Sequence, residues 1–144
     1  MYNDGTKGEK TGFRDEALSL RHRSYGFNCP AVDIDLLMIE YDLAAPVGLV
    51  EFKYHLMKNI DLAHPTYRAI AELCSGYRNA PLPFFLSRYW DNPWMFEVTP
   101  VNDAARRVVR HDKTMMDEVN WVTLLYYLRR RPVPADVLKR LDAA

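Results

Sequence analysis

Hydrophobic positions recur at helical or strand spacing in eight segments of the chain. Their order is helix, hairpin, helix, hairpin, helix and a short final helix, which predicts an α/β fold with helices packed on a mixed β-sheet. Turn residues separate the strands of each pair, and Pro132 ends the longest helix. The predicted helices cover 13–24, 64–78, 114–131 and 135–141, and the predicted strands cover 33–42, 47–54, 83–90 and 94–100.

The first hairpin carries charge on an otherwise apolar strand, in the stretch PVGLVEFKY at 46–54. Side chains alternate between the two faces of a strand, so Glu51 and Lys53 share one face while Val50 and Phe52 occupy the other. A turn near residues 43–46 pairs positions whose numbers sum to about 89, which puts Asp35 near Tyr54. A shift of one residue brings Asp35 level with Lys53.

In the shifted register, three charged side chains meet at one end of the predicted hairpin: Asp35, Glu51 and Lys53. Two carboxylates bind a hard divalent cation through oxygen, and Mg²⁺ or Mn²⁺ suits a site with few protein ligands and several waters. A lysine beside such a cation stabilises the negative charge that develops during phosphoryl transfer. The alternative is an ion pair between Lys53 and a neighbouring acid on a solvated sheet face.

The pattern Asp35…Glu51-Phe52-Lys53 resembles the D…(D/E)xK signature of the PD-(D/E)xK nuclease superfamily, and most resembles its small phage and bacterial members. The predicted element order is also similar to the αβββαβ core of that restriction-endonuclease-like fold. The resemblance implies a Mg²⁺- or Mn²⁺-dependent DNA endonuclease with Asp35, Glu51 and Lys53 as catalytic residues. It also implies homodimers in some members, where two sites cut two strands. Asp33 and Asp35 compete for the metal-binding position, and Asp35 is preferred because it directly precedes the apolar run LLMI.

This resemblance divides the chain into three parts. Residues 1–12 are expected to form a flexible leader, 13–100 a nuclease core, and 101–144 a helical extension packed on the same domain. A chain of 144 residues is long enough for one such domain.

Secondary site candidates flank the three charged residues. The cluster Arg21-His22-Arg23 is expected to grip DNA phosphates, although a helix end stabilised by its dipole explains it equally well. Glu16 on the first helix is a further candidate for a metal ligand, and Tyr67 on the second helix is a candidate neighbour of the site. A solvated helix acid and a core tyrosine are the simpler interpretations.

The charge balance leaves a rival function open. Lysine plus arginine equals aspartate plus glutamate, 19 each, which is not the excess of positive charge typical of a strong nucleic-acid binder. Acids predominate over 33–61, whereas bases predominate over 106–140. A catalytically inactive module of the same fold, which binds DNA or a protein partner, is therefore the second hypothesis.

The remaining composition narrows the setting. Cys29 and Cys74 show no spacing typical of zinc sites or disulfide scaffolds, so reduced thiols and a cytoplasmic location are expected. No apolar run approaches 18 residues, so we expect no membrane association.

Overall fold

The computed structural model describes residues 16–26, 28, 30–57, 59–77 and 80–142. The chain divides into two compact units, residues 1–33 and residues 34–144. The predicted leader, 1–12, lies outside the described residues. The smaller unit contains α1 (Glu16–Arg23), which falls within the helix predicted at 13–24.

The larger unit is built on one five-stranded mixed sheet, and helices cover both of its faces. The strands lie in the order β1-β2-β3-β4-β5, and only the β2–β3 pair is parallel. The α/β class predicted from the sequence is therefore confirmed. The strands are β1 (Leu36–Glu40), β2 (Ala45–Tyr54), β3 (Phe84–Asp91), β4 (Trp94–Pro100) and β5 (Thr114–Asp117); the helices are α2 (Pro65–Ser75), α3 (Asp103–Arg106), α4 (Glu118–Leu128) and α5 (Ala135–Asp142).

Strand alternation assigns the two faces of the sheet to two helices. On one face, Leu49, Phe84 and Leu86 pack against α2. On the other, Val50 and Phe85 pack against α4. Neighbouring residues of β2 and β3 thus enter opposite halves of the core, as a strand period of two requires.

Helix α2 begins where its capping residues predict. The Nδ1 atom of His64 accepts a hydrogen bond from the backbone N–H of Thr66 at 3.2 Å, and Pro65 occupies the first turn. Gly76 follows the last helical residue. This placement turns Tyr67, Ile70 and Cys74 toward the sheet, where all three are buried.

The helix predicted over 114–131 is wrong in its first turn. Thr114–Asp117 is instead a strand that pairs antiparallel with β4. The side chain of Asp117 then caps α4 by accepting a hydrogen bond from the backbone N–H of Asn120 at 2.8 Å. Asp117 is a suitable cap because its short carboxylate reaches the free amides of the first turn of α4. The residues before it are then free to extend the sheet.

The arginines after α4 fasten that helix to the edge strand β1. Nε of Arg129 donates to the carbonyl oxygen of Ile39 at 2.9 Å. The guanidinium of Arg131 pairs with Glu40, which is only 6% exposed, and with Asp42 at 3.1 Å. A buried carboxylate is costly without a partner, so this ion pair accounts for Glu40 inside the fold.

Candidate active site

The first hairpin places the carboxylates of Asp35 and Glu51 side by side. Leu36 pairs with Val50 and Leu37 with Leu49, so the same register continued by one residue sets Asp35 level with Glu51. Asp35 is held there because its Oδ2 accepts a hydrogen bond from the backbone N–H of Phe52 at 2.8 Å.

The predicted hairpin register is wrong by three residues. Strand β2 begins at Ala45, earlier than expected, and the turn occupies 41–44 instead of 43–46. Ala44 adopts a left-handed conformation with φ of 49°, which allows the tight reversal. A bulge between Met38 and Ile39 changes the register again. The numbers of paired residues therefore sum to 86 before the bulge and to 85 after it, and not to the predicted 89.

Lys53 approaches Glu51 along the same face of β2. Its Nζ lies 3.2 Å from Oε1 of Glu51, as expected for residues two apart on a strand. Nζ also lies 5.9 Å from the centre of the Tyr67 ring on α2. Burial alone would lower the pKa of Lys53, but Tyr67 and Glu51 outweigh it and the pKa is raised. The ammonium is therefore fully charged near neutral pH.

Glu51 is a buried carboxyl with a strongly displaced titration. Only 5% of it is exposed. Burial and then the neighbouring Asp35 raise its pKa to about 7, against the lowering effect of Lys53. Its Oε2 is buried and has no hydrogen-bond partner. When both carboxyl groups are ionised, Asp35 offers no donor to this oxygen; a proton shared between the two groups, or a divalent cation between them, would satisfy it.

These residues fit a small, hard cation. Mg²⁺ is typically held by one or two carboxylates and keeps several waters, so Asp35 and the free oxygen of Glu51 form a sufficient donor set. Among the residues that the structure describes, no group of three or more His, Cys, Asp or Glu side chains is gathered as a metal site. Asp33, the last residue of the smaller unit, is thus not shown as a third ligand.

The other predicted site residues fall into two groups. Tyr67 joins the site through its contact with Lys53, and it is also a core residue that is 9% exposed. Arg21, His22 and Arg23 form the last turn of α1 in the separate smaller unit, so they are not assigned to the site. The side chain of Glu16 lies outside the described residues.

One neighbour of the site was missed by the sequence analysis. Arg88 on β3 pairs in register with Lys53, through the parallel contact between β2 and β3. The strand itself was predicted, but a parallel pairing across a helical crossover leaves no local signal of register in the sequence. The only available clue was a lone arginine on an apolar strand.

Comparison with protein-family models, with curated proteins and with solved structures gave no match to this chain. Over the described residues, the longest apolar helices fall short of what is needed to cross a bilayer.

Proposed function

We propose that this protein is a metal-dependent DNA endonuclease of the PD-(D/E)xK type. The observation that carries the proposal is the interaction of the Asp35 and Glu51 carboxyl groups beside the Lys53 ammonium, whose Nζ lies 3.2 Å from Oε1 of Glu51, while the buried Oε2 of Glu51 has no partner. The order α1, β1, β2, α2, β3 supports it, since Asp35 directly precedes β1 and Glu51 and Lys53 lie on β2, between the two helices.

In this proposal each residue of the site has one task. Asp35 and Glu51 would hold the cation, which when bound would polarise the scissile phosphate and lower the pKa of an attacking water. Lys53 faces the developing negative charge on the phosphoryl oxygens and stabilises it. Tyr67 places its ring beside the Lys53 ammonium, 5.9 Å from Nζ, and helps to position that charge. Water adds to phosphorus as the P–O bond to the leaving sugar breaks, so the products are a phosphate monoester and a free hydroxyl.

The protein's own electrostatics support a role in binding a cation. A carboxyl with a pKa near 7 and a charged partner at an active site is poised between protonated and ionised forms. Cation binding fixes the ionised form of Glu51, because the positive charge offsets both the burial and the repulsion from Asp35. The raised pKa is thus the expected state of such a site before its cation binds.

The test is cleavage of a panel of supercoiled plasmid, linear duplex, single strand and four-way junction in Mg²⁺, Mn²⁺ or EDTA. Cleavage is expected only with metal and is expected to disappear in Glu51→Gln and Lys53→Ala. Glu72→Gln is the matched control, because Glu72 is an exposed glutamate on α2. Metal-dependent cleavage that survives Glu51→Gln would refute the assignment.

A second candidate is a module of this fold that binds DNA or a protein partner without turnover. The observation that favours it is the Glu51–Lys53 ion pair, which balances the charge of the glutamate without a metal ion. A folded wild-type protein that cuts no member of the panel in either metal would favour this second function.

A further inference from the structure

A second positively charged side chain, that of Arg88 on β3, lies next to Lys53 on the same face of the sheet. Lys53 and Arg88 are register partners on β2 and β3, and Glu97 on β4 is the register partner of Arg88. Partners across neighbouring strands present their side chains on one face. The charged side chains of Lys53, Arg88 and Glu97 therefore lie side by side on this face, across three neighbouring strands.

The hydrogen-bonding capacity of Arg88 is only partly used. One guanidinium nitrogen donates to the carbonyl oxygen of His55 at 2.7 Å. Another lies 3.6 Å from Oε1 of Glu97, which is long for a hydrogen bond. Nε is buried without a partner, and the side chain as a whole is 24% exposed. The guanidinium is thus fixed in position, and its two terminal nitrogens keep N–H donors beyond these two contacts for a further acceptor.

Aromatic rings continue this surface beyond Arg88. Trp90 lies two residues further along β3, so it shares the face of Arg88. The rings of His55 and Trp90 are stacked, with centres 5.5 Å apart and planes inclined by 12°. The guanidinium of Arg88 lies 5.9 Å from the centre of the Trp90 ring. Both rings are half-buried, which leaves part of the stack open to solvent.

We propose that Arg88, His55 and Trp90 bind an unpaired nucleotide of DNA beside the scissile bond. Arg88 contacts a phosphate, because a guanidinium matches phosphate oxygens with paired donors. The His55–Trp90 stack receives the base, because aromatic side chains bind unstacked bases through their faces. A base in a duplex is already covered by its neighbours, so this surface selects single-stranded or frayed DNA. The inference rests on the proposed function for its choice of ligand, and it names the substrate class.

The experiment measures binding without cleavage. Fluorescein-labelled oligothymidylate and a labelled duplex of equal length are titrated with the protein in EDTA, and fluorescence anisotropy gives both affinities. We expect the wild type to bind the single strand more tightly. Trp90→Ala is expected to weaken that binding by about tenfold to a hundredfold, since the variant loses the aromatic plane on which the base stacks. Arg88→Gln is expected to lower the slope of log affinity against log salt by about 0.7.

A matched aromatic control lies on the opposite face of the sheet. Trp94 is 46% exposed and stacks with Tyr89 and Phe96. Trp94→Ala should leave single-strand affinity unchanged. Trp90→Phe, which keeps an aromatic plane, should retain most of the affinity while abolishing the quenching of tryptophan fluorescence by bound DNA. This conservative variant decides the question even if Trp90→Ala does not fold.

Each other result overturns the inference. Tighter binding of the duplex, no measurable binding by the wild type, unchanged quenching in Trp90→Phe, or a loss confined to Trp94→Ala would each refute it. Its failure is distinct from failure of the proposed hydrolysis. Binding that depends on Trp90 in a protein that cuts nothing would refute only the hydrolysis, whereas cleavage unaffected by Trp90 and Arg88 would refute only this inference.

Discussion

The carboxylate of Asp35 accepts a hydrogen bond from the backbone N–H of Phe52 at 2.8 Å. Phe52 is the middle residue of the Glu51-Phe52-Lys53 stretch, and its ring packs on the opposite face, 5.9 Å from the ring of Trp121. One residue therefore anchors the strand in the core and orients the carboxylate of its neighbour. Asp35 is held by the strand that carries the other two charged residues.

Asp35→Asn should weaken metal binding and preserve the fold. The amide oxygen of asparagine still accepts the Phe52 N–H, but it carries no charge to bind a cation. Residues that only hydrogen-bond to a metal ligand already contribute about tenfold or more to metal affinity. Asp35 is itself a proposed ligand, so we expect at least a tenfold loss. Calorimetric titration with Mn²⁺ measures it. Asp136→Asn, at an exposed carboxylate of α5, is the control, and identical isotherms for wild type and Asp35→Asn would contradict the prediction.

Lys53→Met should move the titration of Glu51 upward. Lys53 lowers the pKa of Glu51, so its removal leaves burial and Asp35 unopposed, and the midpoint should rise above about 7. Methionine keeps most of the length of the apolar stem and removes only the charge. The measurement is a carbon-13 NMR titration of the Glu51 carboxyl group in metal-free buffer. Lys53→Arg retains the charge and should leave the midpoint near that of the wild type; a lower midpoint in Lys53→Met would exclude this electrostatic picture.

The free energy of unfolding of the metal-free protein should fall as the pH rises from about 4.5 to about 7. The pKa of Glu51 is raised from 4.5 to about 7 in the folded protein, so the folded state binds more protons than the unfolded state in that range. Protonation then favours folding at low pH, and this contribution is lost as pH passes the folded-state pKa. Its size is up to about 3 kcal/mol, at about 1.4 kcal/mol per pKa unit.

The check compares urea unfolding of the wild type with that of Glu51→Gln across this pH range in EDTA. Glutamine cannot ionise, so the variant should lack this contribution and should be the more stable protein above pH 7. Equal pH dependence in the two proteins would show that Glu51 titrates normally.

Arg131→Met should destabilise the fold through Glu40. The substitution leaves a carboxylate that is 6% exposed without its guanidinium partner. Removing the partner of a buried carboxylate costs more than removing both charges. We therefore expect a lower melting temperature for Arg131→Met and a partial recovery in the double variant Glu40→Gln, Arg131→Met. Arg140→Met is the control, because its pair with Asp136 is exposed on both sides.

Local patterns in the sequence predicted most elements of the larger unit. The hairpin of β3 and β4 and the helix α2 follow from apolar periodicity, Pro65 and the turn at Asp91-Asn92-Pro93. The grouping of Asp35, Glu51 and Lys53 was also predicted, although through the wrong register. Glu51 and Lys53 share a face under any register, because strand alternation is independent of pairing.

Features set by tertiary pairing could not be predicted in the same way. Thr114–Asp117 fits a helix by local pattern, and only the free edge of β4 makes it a strand. The bulge between Met38 and Ile39 depends on both strands of the hairpin. The position of Arg88 beside Lys53 depends on a parallel pairing across residues 55–83, where no turn fixes the register.

That parallel pairing also determines when the site is completed during folding. The hairpin that carries Asp35, Glu51 and Lys53 closes over a short turn, so its local contacts cost little loop entropy. Pairing of β2 with β3 must close the long crossover that contains α2, and non-local contacts of this kind slow folding. The charged residues can therefore meet before Tyr67 and Arg88 reach them. The three charged residues thus depend on a local hairpin, whereas Tyr67 and Arg88 depend on the long crossover that joins β2 to β3.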